Sequence, residues 1–279
     1  MHRTLVSVDE LAAHAADPLW VVVDCRHSLQ DPQAGRRAYA QSHIPGAFFA
    51  DVESELAGAK TGKNGRHPMP DPENFAAFLR GLGVTNETQI VAYDAGADMF
   101  AARMWFLCRH AGHEAVAVLD GGFAAWVAAG NPVSAEEPAR PGTGTFQSNP
   151  RHELTVDAEA VLTSLQDNAF SVLDARAPDR FAGQNETIDP VAGHIPGALN
   201  RPFRQNFDER GFFKPPAQLR DEFTQLGVHP KRLVHQCGSG VSAAVNYLAM
   251  EHAGVEGSRV YPGSWSEWIA DPARPVATG

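Results

Sequence analysis

Cysteine is the strongest nucleophile this chain offers, and it has three: Cys25, Cys108 and Cys237. One of them stands where a sulfur could react. The segment Leu233-Val-His-Gln-Cys237-Gly-Ser239-Gly-Val-Ser242 runs an apolar stretch up to the cysteine, then a glycine-containing loop, then a helix-like stretch. In open α/β sheets, ligands bind beyond the carboxyl ends of the strands. Loop amides and a helix N-terminus facing that space favour anions, an anionic sulfur included. Gly238 and Gly240 let the backbone curl around the sulfur without Cβ clashes. Ser239 and Ser242 add hydroxyl donors, and with Val241 these residues form the expected substrate-facing wall. The same cradle suits a persulfide anion. The competing reading is a buried packing cysteine, a common fate of free Cys. Position at a strand end, two glycines and flanking hydroxyls argue against it for Cys237. Cys25 and Cys108 lack that setting and are expected to pack in cores.

The elements that must position this loop occur twice. Residues 20–48 and 170–199 each run from an apolar stretch through Asp-X-Arg to His-Ile-Pro-Gly-Ala. Three further segments, 75–84, 90–107 and 118–126, find partners at 221–228, 233–250 and 260–268, in the same order. Such a repeat means two copies of one domain. The expected division is 1–132 for the first copy, 133–150 for a linker rich in Pro, Gly, Ser and Thr, and 151–279 for the second. Short apolar runs (Trp20–Val23, Ile90–Tyr93, Val116–Leu119, Ser171–Leu173, Leu233–His235, Arg259–Tyr261) suit buried strands. Helix-like stretches at Pro72–Leu82, Phe100–Ala111, Gln218–Leu226 and Val241–His252 lie between them. Alternating strands and helices predict an α/β fold, each copy a mainly parallel sheet with helices on both faces. In the first copy Asp94 stands where the second has Cys237. A carboxylate cannot carry sulfur, so that copy is expected to be catalytically silent. Asp24-X-Arg26 and Asp174-X-Arg176 recur in both copies, as do His43 and His194, which suggests structural roles. Trp126 and Trp268 are expected in the cores, while Trp265 fits either a core or a cleft.

The Cys237-Gly-Ser-Gly-Val-Ser-Ala loop resembles that of the tandem-domain rhodaneses, most closely their mercaptopyruvate sulfurtransferase branch. The Asp-X-Arg, Gly-His-Ile-Pro-Gly-Ala and Gly-Ser-Trp-Ser-Glu-Trp segments carry the same resemblance, over about 5–130 and 155–270. It implies transfer of a sulfane sulfur from 3-mercaptopyruvate to a thiophilic acceptor through a Cys237 persulfide, with no metal or organic cofactor. It also implies that Arg180 binds the donor carboxylate; a surface arginine or a pair with Asp179 is the alternative. His67 and Glu53 match the family's acid–histidine pair and would form a proton relay with Ser239, the alternative for His67 being an exposed loop histidine. The adjacent Arg66 is basic enough to draw in an anionic donor. A second arginine, which the family places before Gly-His-Ile-Pro-Gly, has no match in Gly183–Gly193. Arg201 and Arg204 are candidates to replace it, though nothing in the sequence establishes either.

Other classes fit less well. Lys+Arg total 23 against 33 Asp+Glu, a net charge of −10, which gives no non-specific attraction to nucleic acid or anionic lipid. Cysteine phosphatases need Cys-X5-Arg, and the sixth residue after Cys237 is Ala243. Twelve histidines include no His-Glu-X-X-His run, so no metal is expected. No signal peptide or apolar run of membrane-spanning length is read, and widely spaced thiols suit a reducing cytoplasm. Thiosulfate is the rival donor. The loop's lack of charge favours a monocarboxylate over that dianion, and the unmatched arginine argues the other way. Cyanide, glutathione or thioredoxin would all accept sulfur from the same persulfide, and a monomer suffices. A non-catalytic binding or persulfide-carrier module is the remaining alternative.

Overall fold

A computed structural model describes residues 1–139 and 142–279. It divides into two compact units: 1–58, 70–151 and 207–213 in the first, and 59–69, 152–206 and 214–279 in the second. Within the stretch expected to link two domains, residues 140 and 141 lie outside the described residues. The rest of it is not a bare tether. Gly144 and Phe146 donate backbone N–H groups to Arg80 and Val84 of the first unit, and Phe146 is buried.

In the first unit the elements follow in the order β1 (Leu5–Val6), α1 (Val8–Ala13), β2 (Trp20–Asp24), α2 (Ala34–Gln41), β3 (Phe48–Phe49), α3 (Pro72–Gly81), β4 (Gln89–Tyr93), α4 (Phe100–His110), β5 (Val116–Leu119) and α5 (Gly122–Ala128). The strands pair in parallel in the order β1-β5-β4-β2-β3. Strands β2 and β4 are the apolar runs expected from sequence, each one residue longer. Helix α3 begins where Asp71 caps the N–H groups of Glu73 and Asn74 and Pro72 presets the first turn. Tyr93, Trp126 and Leu119 sit in one core with Val22 and Val91. Burying a large apolar side chain of this kind contributes about 1.5–3 kcal/mol.

In the second unit the order is α6 (Ala158–Asp167), β6 (Ser171–Asp174), α7 (Pro178–Phe181), β7 (Leu199–Asn200), α8 (Pro216–Thr224), β8 (Leu233–Gln236), α9 (Ala243–His252), β9 (Arg259–Val260) and α10 (Ser264–Trp268). Its sheet is also parallel, in the order β7-β6-β8-β9. The place held by β1 in the first sheet is reduced here to a single parallel bridge, Thr155 to Val260. Connections leave β6 and β8 in opposite directions across the sheet, so the switch point lies between these two strands. Arg176 and Arg180 follow β6, and Cys237 follows β8. Open α/β sheets bind ligands at such a point.

Several repeated residues hold the frame. Asp174 accepts two bonds from Arg176 Nε and one from Nη2, and Nη2 also reaches the Gly193 carbonyl. Asp24 and Arg26 repeat the arrangement, with Ser42 as the carbonyl. His43 Nδ1 lies 2.8 Å from the Tyr39 carbonyl and His194 Nδ1 2.8 Å from that of Phe181. Trp126, Trp265 and Trp268 are all buried. Cys25 and Cys108 are buried too, and burial pushes both thiols up, away from the reactive thiolate. Among the described residues no helix is long and apolar enough to cross a membrane.

Candidate active site

Strand β8 is buried along its length and delivers Cys237 to its carboxyl end with 2% of its surface exposed. The backbone then turns sharply. Gly240 adopts φ +77°, and a Cβ there would meet the Pro262 carbonyl oxygen at 2.1 Å. Only glycine fits. This turn aims the Gly240 N–H at the Cys237 sulfur, 3.1 Å away. Val241 and Ser242 are buried as the chain enters α9.

The Gly263–Trp268 segment straps the loop in place. Ser264 Oγ accepts the Cys237 N–H at 3.1 Å and donates to the Tyr261 carbonyl at 2.9 Å. The N–H groups of Trp265 and Ser266 bind the carbonyls of Cys237 and Gly238 at 3.0 and 2.9 Å. Ser264 is fully buried and holds φ +55°, a left-handed conformation that costs a non-glycine residue about 1–2 kcal/mol. The Gly-Ser-Trp-Ser-Glu-Trp motif is visible in the sequence. What Ser264 does is not, because neither its backbone angle nor its partner leaves a trace there.

Residues 59–69 pack with the second unit and bring Arg66 and His67 to the loop. The Arg66 N–H donates to Ser266 Oγ at 3.0 Å. His67 Nδ1 lies 2.8 Å from Ser239 Oγ, and its side chain is buried, 4% exposed, rather than out on a loop. Glu53 belongs to the first unit, in the turn after β3, where its N–H binds Asp51 Oδ1.

Two guanidinia lie over Gly238. A Cβ on Gly238 would meet Arg66 Nη2 at 2.9 Å and Arg180 Nη2 and Nη1 at 3.6 and 3.7 Å. Gly238 therefore leaves the space these groups use. Burial pulls the Arg66 guanidinium below its ordinary range, and the neighbouring Cys237 sulfur opposes that shift. Arg180 does not pair with the Asp179 carboxylate through its side chain. Its Nε and Nη2 bind Glu186 at 3.0 and 2.9 Å, and Nη2 reaches Asp189 at 3.1 Å. Arg66 Nη1 donates to the other oxygen of Asp189.

Arg201 and Arg204, the two candidates for the unmatched second arginine, both make other contacts. Arg201 is buried and spent on Asn206 and Glu222. Arg204 stands over the Phe203 ring. Arg66, more than a hundred residues away in sequence, is the guanidinium that lies beside Arg180 over Gly238. Motif matching around Gly-His-Ile-Pro-Gly could not reveal it, although its proximity to His67 was a hint.

The loop after β4 in the first unit is the internal counterpart. The Asp94 carboxylate accepts the N–H groups of Gly96 and Ala101, each at 3.0 Å. Burial pushes this carboxyl up, and the two backbone donors pull against it.

A parallel α/β sheet with a cysteine cradled at the switch point defines a class of persulfide-competent rhodanese folds. The rhodanese-like domain family matches residues 7–129 and 157–271. A protein of Pseudomonas aeruginosa named as a probable 3-mercaptopyruvate sulfurtransferase is 47% identical over 99% of this chain and 98% of its own length. The thiosulfate sulfurtransferase of Rattus norvegicus is 35% identical over 100% of this chain and 97% of its own. The crystal structure of the Escherichia coli 3-mercaptopyruvate enzyme is similar, with a TM-score of 0.83 and 32% identity over 95% of this chain and 99% of that one. The chain belongs to the rhodanese family, as a sulfurtransferase with two tandem domains.

Proposed function

We propose that the second unit moves a sulfane sulfur from 3-mercaptopyruvate to a thiophilic acceptor through a persulfide on Cys237. The observation that carries this reading is the pair of guanidinia, Arg66 and Arg180, over Gly238 beside an uncharged cysteine loop. Two planar donor groups suit a carboxylate, which accepts parallel charge-assisted bonds. With the carboxylate there, the donor's thiol sulfur reaches Cys237.

The Cys237 thiolate attacks that sulfur. The carbon–sulfur bond breaks, its electron pair leaves on carbon as the pyruvate enolate, and the transferred sulfur stays on Cys237. Protonation of the enolate carbon gives pyruvate. We assign delivery of that proton to Ser239, backed by His67, a reading that their 2.8 Å contact supports. Glu53 is the acid expected to orient His67. The Gly240 N–H holds the Cys237 thiolate before attack and again as the leaving sulfur of the second half. In the second half, cyanide or a thiolate attacks the outer sulfur, leaves as thiocyanate or a persulfide, and returns the Cys237 thiolate. Thioredoxin is one thiol of this kind. We place the enzyme in the cytoplasm, where three unpaired cysteines fit a reducing environment, and expect a monomer to suffice.

Thiosulfate is the second reading, with sulfite as leaving group and the same persulfide. Relatives named for it support it. Turnover of both donors with cyanide separates the two: kcat/KM is expected to be higher for 3-mercaptopyruvate, and the reverse order would move the assignment to thiosulfate.

A further inference from the structure

The two guanidinia are not bare. The Asp189 carboxylate bridges them, one oxygen on Arg66 and the other on Arg180, and its side chain is 1% exposed. Glu186, 2% exposed, grips Arg180 through Nε and Nη2 and lies 3.5 Å from Arg176 Nη1. The backbone N–H groups of Ile188 and Asp189 bind Glu186 Oε1 at 2.9 and 3.0 Å, so this acidic turn is built to hold its shape. In the bonded cluster three guanidinia, Arg66, Arg176 and Arg180, face three carboxylates, Asp174, Glu186 and Asp189. The charges balance before the cysteine is counted, and a Cys237 thiolate leaves the site one charge negative.

We infer that Glu186 and Asp189 set the donor's charge: they turn a guanidinium pair that would hold a dianion into a site selective for a monoanion. The inference rests on the proposed persulfide reaction and deepens it. The carboxylates take the Nε–Nη2 edge of Arg180 and Nη1 of Arg66. The remaining nitrogens, Arg180 Nη1 and Arg66 Nη2, lie over Gly238 for the donor. A monocarboxylate then binds by geometry, through hydrogen bonds, in a site carrying a single surplus negative charge. A dianion gains little from the cluster and is repelled twice as strongly by the surplus negative charge. Neither carboxylate touches the reacting atoms, so both act as positioning and selectivity residues.

Asp189→Asn keeps the side chain's shape and removes one negative charge. The readout is the ratio of kcat/KM for thiosulfate to that for 3-mercaptopyruvate, in the variant relative to wild type. A rise of about tenfold, ~1.4 kcal/mol, is expected at low ionic strength, shrinking as salt is added. Glu186→Gln should move the ratio the same way, while Glu159→Gln, an exposed carboxylate on α6, should leave it unchanged. An unchanged or falling ratio in a folded variant that still forms the persulfide would overturn the inference. If both variants fail to fold, wild-type inhibition decides. Methanesulfonate and sulfate differ chiefly in carrying one charge or two. Tighter competition by methanesulfonate is expected, and tighter competition by sulfate would sink the idea. A wild-type preference for thiosulfate would instead count against the donor assignment, and the ratio shift would still read the charge effect.

Discussion

The loops after β4 and after β8 leave corresponding strands of the two sheets and differ in what fills them. In the first, Asp94 takes the Gly96 and Ala101 N–H groups with its own carboxylate, so the anion the cradle wants is supplied by the chain. In the second, the anion is the Cys237 sulfur on the Gly240 N–H, which can receive and give up an atom. The supporting residues change together with the centre. Gly122 adopts φ +59° in the first unit with no side chain, where the repeat places Ser264 at φ +55° in the second, its hydroxyl on the Cys237 N–H. Gln30 occupies the repeat position of Arg180. The contrast teaches how one fold can fill the same strand-end position either with its own carboxylate or with a sulfur, and we propose that the first filling leaves that copy catalytically silent.

Exchanging residues between the copies tests that contrast. Cys237→Asp should convert the second loop into a likeness of the first: sulfur transfer is lost to background while the thermal melt is retained. An unfolded variant would show that the cradle does not tolerate the carboxylate. Arg180→Gln installs the first copy's residue and removes a charge-assisted contact. A fall of about 100-fold in kcat/KM for 3-mercaptopyruvate is expected, chiefly through KM, since bonds to charged groups are worth about 1.5–3 kcal/mol. Steady-state kinetics check this. Ser264→Gly should lower kcat about tenfold yet leave stability within about 1 kcal/mol, because relief of the left-handed strain offsets the lost hydrogen bond. Ser264→Ala keeps the strain and loses the bond, so urea denaturation should show it about 1–3 kcal/mol less stable.

The last effect leaves neutral-pH turnover untouched and concerns acid. Strand β8 carries His235 where β4 has Ala92. Burial lowers its pKa to about 3 from the usual 6.5, and Arg201 adds to the shift. The unfolded chain therefore binds a proton that the native state refuses between those values. Stability is fully present above 6.5 and falls as pH drops toward 3, by at most about 1.4 kcal/mol per pH unit. His235→Gln should flatten that slope in denaturant titrations across this window.

Much of this comparison was legible in the sequence. Strand runs such as Ile90–Tyr93 and Leu233–His235 could be read because a buried parallel strand is continuously apolar, and the repeat aligned Asp94 with Cys237 directly. Local grammar exposed the Cys237 loop, since glycines and hydroxyls around a strand-end cysteine have few other uses. Partners formed by tertiary approach were hidden. Arg66 reaches Arg180 through Asp189, and nothing in Gly183–Gly193 marks Glu186 and Asp189 as a clamp rather than solvated acids. Ser264 was hidden differently, because a left-handed serine looks like any other serine until its φ is known. His67 matches a family position in sequence, but its burial against Ser239 arises only from the fold.

One measurement tests the central claim most directly: the mass of the peptide containing Cys237 after exposure to 3-mercaptopyruvate without acceptor, followed by cyanide. The account predicts the added mass of a single sulfur atom on Cys237, none on Cys25 or Cys108, and its removal by cyanide as thiocyanate. No added sulfur, or sulfur carried on another cysteine while turnover continues, would contradict it.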